Sequence, residues 1–233
     1  SSGIEIIDAT GVAGTARLFG SYSADKLDFR GVSLLGSNFL IEGGGGNDTL
    51  VGSSATDKLF GGSGNDVLVG ASGDRLDGGE GNDLLLNGTT LIGGNGQDRI
   101  ALALHDDQKV VAYLGRVDGA DGVADLVTVL GGQGALDFDA TIRGFESGKD
   151  RIDLSQLLDG GNRTLNIDDL LISSLNGNSS IGFQSGVHAV GGGALDVTLT
   201  LEGVASVSAS NFYFSNPALP WGTPVLQEAT VCL

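Results

Sequence analysis

The sequence predicts an all-β fold: a right-handed parallel β-roll, or β-solenoid, followed by a β-rich C-terminal cap. Three observations predict it. One nine-residue phrase recurs four times between Gly43 and Ala101, its copies start about two phrases apart, and the same rhythm of short strands and turns runs upstream without the glycines. A phrase too short to bury a core alone gains burial only by stacking on its neighbours.

Residues 1–42 read as coils that lack the phrase. Ile4–Asp8, Ala16–Phe19, Lys26–Phe29 and Phe39–Ile41 have strand composition, and turns fall at Ala9–Gly14, Gly20–Asp25 and Arg30–Ser37. The chain starts in mid-rhythm with no Met and no obvious cap, so a longer solenoid is expected upstream.

The phrase itself occupies residues 43–101. It runs Gly43-Gly44-Gly45-Gly46-Asn47-Asp48-Thr49-Leu50-Val51, then Gly61-Gly62-Ser63-Gly64-Asn65-Asp66-Val67-Leu68-Val69. It returns as Gly78-Gly79-Glu80-Gly81-Asn82-Asp83-Leu84-Leu85-Leu86 and as Gly93-Gly94-Asn95-Gly96-Gln97-Asp98-Arg99-Ile100-Ala101. This pattern, Gly-Gly-x-Gly-x-Asp-x-U-x with U aliphatic, resembles the repeats-in-toxin (haemolysin-type) calcium-binding nonapeptide. The resemblance implies Ca2+ held on turns stacked along one edge of a roll.

The residue types suit that chemistry. Glycines at the first, second and fourth places permit positive φ and leave carbonyl oxygens unshielded, and the Asp adds a carboxylate. Calcium takes six to eight oxygens at about 2.3–2.6 Å, more than one such turn supplies, so two stacked turns must share each ion. Three ions are expected, between the turns of Asp48 and Asp66, Asp66 and Asp83, and Asp83 and Asp98. The oxygens come from the Asp carboxylates and from the turns that carry them, at Gly43 and Gly45, Gly61 to Gly64, Gly78 to Gly81, and Gly93 to Gly96; Ser63, Glu80 and Asn95 stand at the third place. Gly20–Asp25 keeps an Asp in register and offers a fourth, weaker site near Asp25.

Between the strong copies lie decayed ones, Gly52–Phe60, Gly70–Asp77 and Asn87–Ile92. Each coil therefore has two turns, with strong turns on one edge and decayed turns on the other. Asp57 and Asp74, on the decayed edge, are expected to matter much less than Asp66. The inward residue of each strong copy is Leu50, Leu68, Leu85 or Ile100.

Composition bounds the alternatives. Asp and Glu number 29 against 12 Lys and Arg, a formal charge of −17, which argues against nucleic acid and anionic membranes as partners. Stacked at roughly the 4.8 Å strand spacing, four aspartates would repel one another unless cations lay between them. Gly is 41 of 233 residues, yet the regular aliphatic positions oppose a disordered reading. No apolar run reaches the roughly 18–20 residues of a membrane span and no N-terminal signal peptide is evident. Cys232 is the single cysteine, so calcium rather than a disulfide is the expected staple of an extracellular fold.

Residues 102–215 read as a capping region. Strands are expected at Lys109–Leu114, Leu126–Leu130, Phe138–Ile142, Arg151–Leu154, Ser180–Phe183, Val197–Leu201 and Phe212–Phe214, and short helical turns at Ser155–Leu158 and Ile167–Leu171, the latter capped by Asn166. Gly131–Asp137 is a late, decayed copy of the phrase. Residues 142–155, Leu201–Val204 and Ser210–Phe214 resemble the serralysin-like region that follows such rolls in proteins exported by bacterial type I secretion. That resemblance implies an uncleaved export signal in the C-terminal tail, here extended by residues 216–233, and a secreted bacterial protein.

No catalytic residue is expected. His105-Asp106-Asp107 reads as a solvated loop, His188 stands alone, and Asp118–Asp125 has calcium-like oxygens without EF-hand spacing and reads as a turn, with an extra ion there as the alternative. His-Glu-x-x-His, Gly-x-Ser-x-Gly and P-loop patterns are absent from the sequence. The expected function is a calcium-binding C-terminal module that folds on Ca2+ outside the cell and supports export of a surface adhesin or surface-layer protein. The alternative is the accessory roll of a secreted protease, lipase or polysaccharide epimerase, with polysaccharide contact. The expected partners are calcium, the type I transporter, and a cell-surface or polysaccharide ligand.

Overall fold

The computed structural model describes residues 6–8, 15–35, 39–103, 108–116, 120–130, 136–158, 163–184, 187–189 and 195–215. The first coils hold β1 (Ile6–Asp8), β2 (Ala16–Phe19), β3 (Lys26–Asp28) and β4 (Ser33–Leu35). The repeats form β5 (Phe39–Gly45), β6 (Thr49–Val51), β7 (Lys58–Ser63), β8 (Val67–Val69), β9 (Arg75–Glu80), β10 (Leu84–Leu86), β11 (Thr90–Asn95) and β12 (Arg99–Ala103). Beyond them come β13 (Gln108–Tyr113), β14 (Leu126–Leu130), β15 (Leu136–Arg143), β16 (Arg151–Asp153), β17 (Leu157–Leu158), β18 (Leu170–Leu175), β19 (Asn178–Phe183), β20 (His188–Ala189), β21 (Leu195–Leu201) and β22 (Phe212–Tyr213).

Odd and even strands of the repeats part into two sheets. The ten-stranded sheet runs β18-β19-β21-β15-β13-β11-β9-β7-β5-β2, and the eight-stranded sheet runs β22-β16-β14-β12-β10-β8-β6-β3. From β2 to β15 and from β3 to β22 all neighbours pair in parallel, so each coil contributes one strand to each sheet. This is a parallel β-roll. Its parallel ladders continue past Ala101 through β13 to β16, and β21 and β22 add a further coil.

The core lies between the sheets as two aliphatic rows. Leu50, Leu68, Leu85 and Ile100 stand in register and are fully buried, and Val127 and Ile152 extend that row. Facing them, Ile41, Leu59, Leu76, Leu91, Ala112, Ile142 and Leu201 form the second row. The inward residues expected from the phrase are therefore the ones that meet. Val51, Val69, Leu84, Leu86 and Ala101 form a separate buried cluster, which the reading of one inward residue per copy did not anticipate.

The end of the ten-stranded sheet changes hand-off. β19 pairs antiparallel with both β21 and β18, so a hairpin turning at Asn176-Gly177, both with positive φ, closes the stack. Isoleucine and leucine at 171, 172 and 175 remain exposed on its outer strand. Two local expectations differ. Residues 33–35, read as a turn, form β4 beside β1, and Leu157–Leu158, read as helical, pairs antiparallel with β20. The turn at Ile167–Asp169 is a 3-10 helix whose Asn166 side chain accepts from Asp168 N, as expected. Gly131–Ala135 of the decayed late copy, His105 to Asp107, Asp118, Cys232 and residues 216–233 lie outside the described residues, as does the His188 side chain.

Candidate metal centre

Each phrase ends a strand of the ten-stranded sheet, turns, and starts a strand of the eight-stranded sheet. The second-place glycines Gly62 and Gly79 have φ of +114° and +108°, and a Cβ on either would overlap the carbonyl oxygen of the corresponding glycine one coil earlier. Only glycine combines that backbone with that approach.

Three ladders stitch the turns together. The amides of Asp48, Asp66 and Asp83 donate to Oδ1 of the next aspartate, Asp66, Asp83 and Asp98, at 2.8, 2.8 and 2.9 Å. In the opposite direction, Asn65 and Asn82 amides donate to Oδ1 of Asn47 and Asn65, and Gln97 N donates to Asn82 Oδ1 at 2.8 Å. The fourth-place amides of Gly46, Gly64 and Gly81 donate to the carbonyls of Ser63, Glu80 and Asn95, one coil on. The asparagine ladder was missed at the sequence level because the fifth place was treated as variable; its recurrence in three of the four copies was the available signal.

Once these bonds are made, one oxygen per strong turn is left over. Oδ2 of Asp48, Asp66, Asp83 and Asp98 is buried with no hydrogen-bond partner, on residues no more than 3% exposed. A buried unpaired acceptor costs about 1–3 kcal/mol, and more if charged. Burial accordingly pushes Asp66 up to about 6, Asp83 to about 7 and Asp98 to about 9, with the neighbouring aspartates adding repulsion.

The orphaned oxygens share a place with carbonyls. A Cβ on Gly43 would meet both Asp48 Oδ2 and the Gly61 carbonyl; on Gly61, Asp66 Oδ2 and the Gly78 carbonyl; on Gly78, Asp83 Oδ2 and the Gly93 carbonyl. Two acceptors from successive coils cannot satisfy one another. A cation between them would satisfy both at once.

The remaining turns leave no aspartate Oδ2 free. Asp25 Oδ2 accepts from Ser21 N at 2.6 Å and Ser21 Oγ at 2.8 Å, and Asp57 Oδ2 accepts from Ser53 N at 2.6 Å and Ser53 Oγ at 2.9 Å. Asp74 Oδ2 accepts from Ala71 N at 2.6 Å. In all three the second place holds Ser or Ala instead of Gly. Asp25 is in register, its amide donating to Asp48 Oδ1, but its own turn occupies the oxygen that the strong turns leave free. The structure thus gives the expected site near Asp25 no orphaned carboxylate oxygen. Asp57 and Asp74 are also more than bystanders: both are buried, and Asp57 N donates to Asp74 Oδ1 at 2.8 Å. Asp57 Oδ1, at the lower end of this short ladder, has no partner.

An edge of stacked, glycine-turned carboxylates on a parallel roll defines a calcium-binding repeat architecture. Residues 42–74 and 70–90 match the family of the RTX calcium-binding nonapeptide repeat (4 copies). No curated protein matches the chain. The repeat segment is an RTX calcium-binding nonapeptide module. The copy at Gly93–Ala101, beyond the matched residues, continues it in register, with Leu85 against Ile100 and Asp83 N on Asp98 Oδ1.

The donors fit calcium, since carboxylate and carbonyl oxygens are the hard ligands it takes. Among the described residues no three His, Cys, Asp or Glu side chains converge as a metal cage, so main-chain carbonyls must complete any site. No helix among the described residues is long and apolar enough to cross a membrane.

Proposed function

We propose that this chain is a folding module that closes on calcium. Three ions lie in the gaps between the turns of Asp48 and Asp66, Asp66 and Asp83, and Asp83 and Asp98. They are held by those carboxylates and by oxygens of the glycine-rich turns from Gly43, Gly61, Gly78 and Gly93. The observation that carries this reading is the set of buried, partnerless Oδ2 atoms, those of Asp48, Asp66 and Asp83 converging with a glycine carbonyl of the next coil. Calcium would supply there the positive charge that the ladder lacks.

The compartment then sets the state. Low calcium inside a bacterium leaves the chain unfolded and exportable by a type I transporter, and millimolar calcium outside folds it. The favoured host is a surface adhesin or surface-layer protein, because coils without the phrase precede the repeats, as β2 and β3 do.

Circular dichroism during a calcium titration of the metal-stripped chain at neutral pH tests the folding step. A β-sheet signal that grows with calcium is expected, and a spectrum indifferent to calcium would overturn the proposal. Export is tested separately, by fusing residues 150–233 to a passenger in cells carrying a type I transporter; retention of the passenger would remove the export part.

A further inference from the structure

The four nonapeptide aspartates each carry an orphaned Oδ2, but only three gaps lie between nonapeptides. The fourth, Asp98 Oδ2, belongs to the last copy, and the coil above it carries no nonapeptide. What stands above Asp98 reproduces the other gaps from different residues. Asp98 N donates to Asp125 Oδ1 at 2.8 Å, as Asp83 N does to Asp98. Gly96 N donates at 2.7 Å to Asp121 Oδ2, whereas Gly46, Gly64 and Gly81 donate to the third-place carbonyl of the next coil. A carboxylate has replaced a carbonyl.

The strands flanking this gap are in the same register as the others, Arg99 opposite Leu126 and Ile100 opposite Val127. Asp98 is fully buried, its Oδ2 has no partner, and the Asp125 and Asp121 carboxylates lie close enough to repel its charge. Neither end gap has a free aspartate Oδ2, although Glu146 Oε2, in the turn that closes the upper one, is buried without a partner. Below, Asp25 Oδ2 is taken by Ser21; above, Asp150 Oδ1 accepts from Asp125 N at 3.0 Å while Glu146 N holds Asp150 Oδ2 at 2.6 Å.

The geometry points to a fourth calcium site outside the nonapeptides, between the Asp98 turn and the Asp121–Asp125 turn, with Asp98 Oδ2 and main-chain oxygens as its ligands and the Asp121 and Asp125 carboxylates, which already accept from the Gly96, Val123 and Asp98 amides, adding negative charge around it. It rests on the calcium reading of the repeats and extends it into the region that follows them. With Asp121 in place of a neutral carbonyl, this gap carries one carboxylate more than the gaps below it. Its ion would join the repeats to β14 and the coils beyond.

The test counts ions on the whole chain by equilibrium dialysis with radioactive calcium at pH 7.5, with circular dichroism on each sample. The unaltered chain should bind four. Asp125→Asn keeps an Oδ1 acceptor for Asp98 N and should bind three, whereas Asp25→Asn should still bind four. Asp121→Asn, on a partly exposed turn, is the second probe should Asp125→Asn not fold; it also should bind three. Three ions on the unaltered chain would overturn the fourth site and leave the repeats' calcium binding intact. Four ions on both Asp125→Asn and Asp121→Asn would overturn it too, by placing the extra ion elsewhere. No binding at all would instead remove the reading of the repeats on which it rests.

Discussion

Protons and calcium should compete for the same oxygens, and the structure sets where. In the metal-free roll burial raises Asp66 from 3.8 to about 6 and Asp83 from 3.8 to about 7. At about 1.36 kcal/mol per pH unit, ionising Asp83 in the folded chain costs about 4 kcal/mol, and Asp66, better screened by solvent, costs less than about 3 kcal/mol. Because the folded values lie above the unfolded one, their stabilising contribution is complete below about pH 4. It is lost as the pH rises through about 6 and about 7. The sum is comparable with the roughly 5–15 kcal/mol of a whole domain. The metal-free module should therefore be folded near pH 5 and largely unfolded at pH 8, and calcium should abolish that difference.

Thermal melts of protein stripped on chelating resin, from pH 4.5 to 8.5 with and without millimolar calcium, measure the effect. Calorimetric titrations of calcium at pH 7 in buffers of different ionisation enthalpy should also show protons released on binding, chiefly from Asp98, which burial holds at about 9. A metal-free midpoint that rises or stays level from pH 5 to pH 8 would refute the reasoning. So would calcium binding without proton release.

Four further outcomes follow from the same geometry. Asp66→Ala should lower calcium stoichiometry, whereas Asp57→Ala should leave it unchanged in dialysis while still destabilising the fold by about 1–3 kcal/mol through the lost acceptors of Ser53. Gly62→Ala meets the Gly44 carbonyl and a φ of +114°, so it should fold only at higher calcium, if at all, by circular dichroism. Leu85→Ala, at a fully buried position, should cost about 2–5 kcal/mol in calcium-saturated denaturant melts with little change in ion count. Cutting the chain near Leu104 strips β13 and β14 from β11 and β12, so calcium should bind with lower cooperativity and the fragment should aggregate in light scattering.

The roll was legible because its information is periodic. A spacing of two phrases per coil sends Leu50 and Leu59 to opposite sheets, and glycine at fixed places marks the turns. What escaped was information carried by partners a whole coil away. Asn47 and Asn65 look interchangeable with any polar residue until the amide of the next coil is placed on them. Asp121 and Asp125 fit no phrase; their roles arise because a chain excursion between β13 and β14 returns to the same edge 25 and 27 residues beyond Gly96 and Asp98. Short apolar pairs such as Leu157-Leu158 have no period to read, and a partner strand decides them.

The residue at the second place of each turn links these results. Where it is Ser or Ala, its amide donates to the turn's own Asp and the turn is self-sufficient, as at Ser21, Ser53 and Ala71. Where it is Gly at positive φ, that bond is absent and Oδ2 is left for a cation. The two edges thus share one aspartate-to-amide skeleton, and a Cβ at the second place, with a hydroxyl at Ser21 and Ser53, separates a sealed turn from an open one. Calcium dependence nevertheless belongs to the whole roll. Every coil passes through both edges, and the rows from Leu50 to Ile100 and from Ile41 to Leu91 pack against each other. Repulsion at the glycine edge therefore withdraws burial from both rows at once, and the sealed edge cannot persist alone. On the proposed reading, that coupling would turn a local electrostatic deficit into a cooperative folding switch.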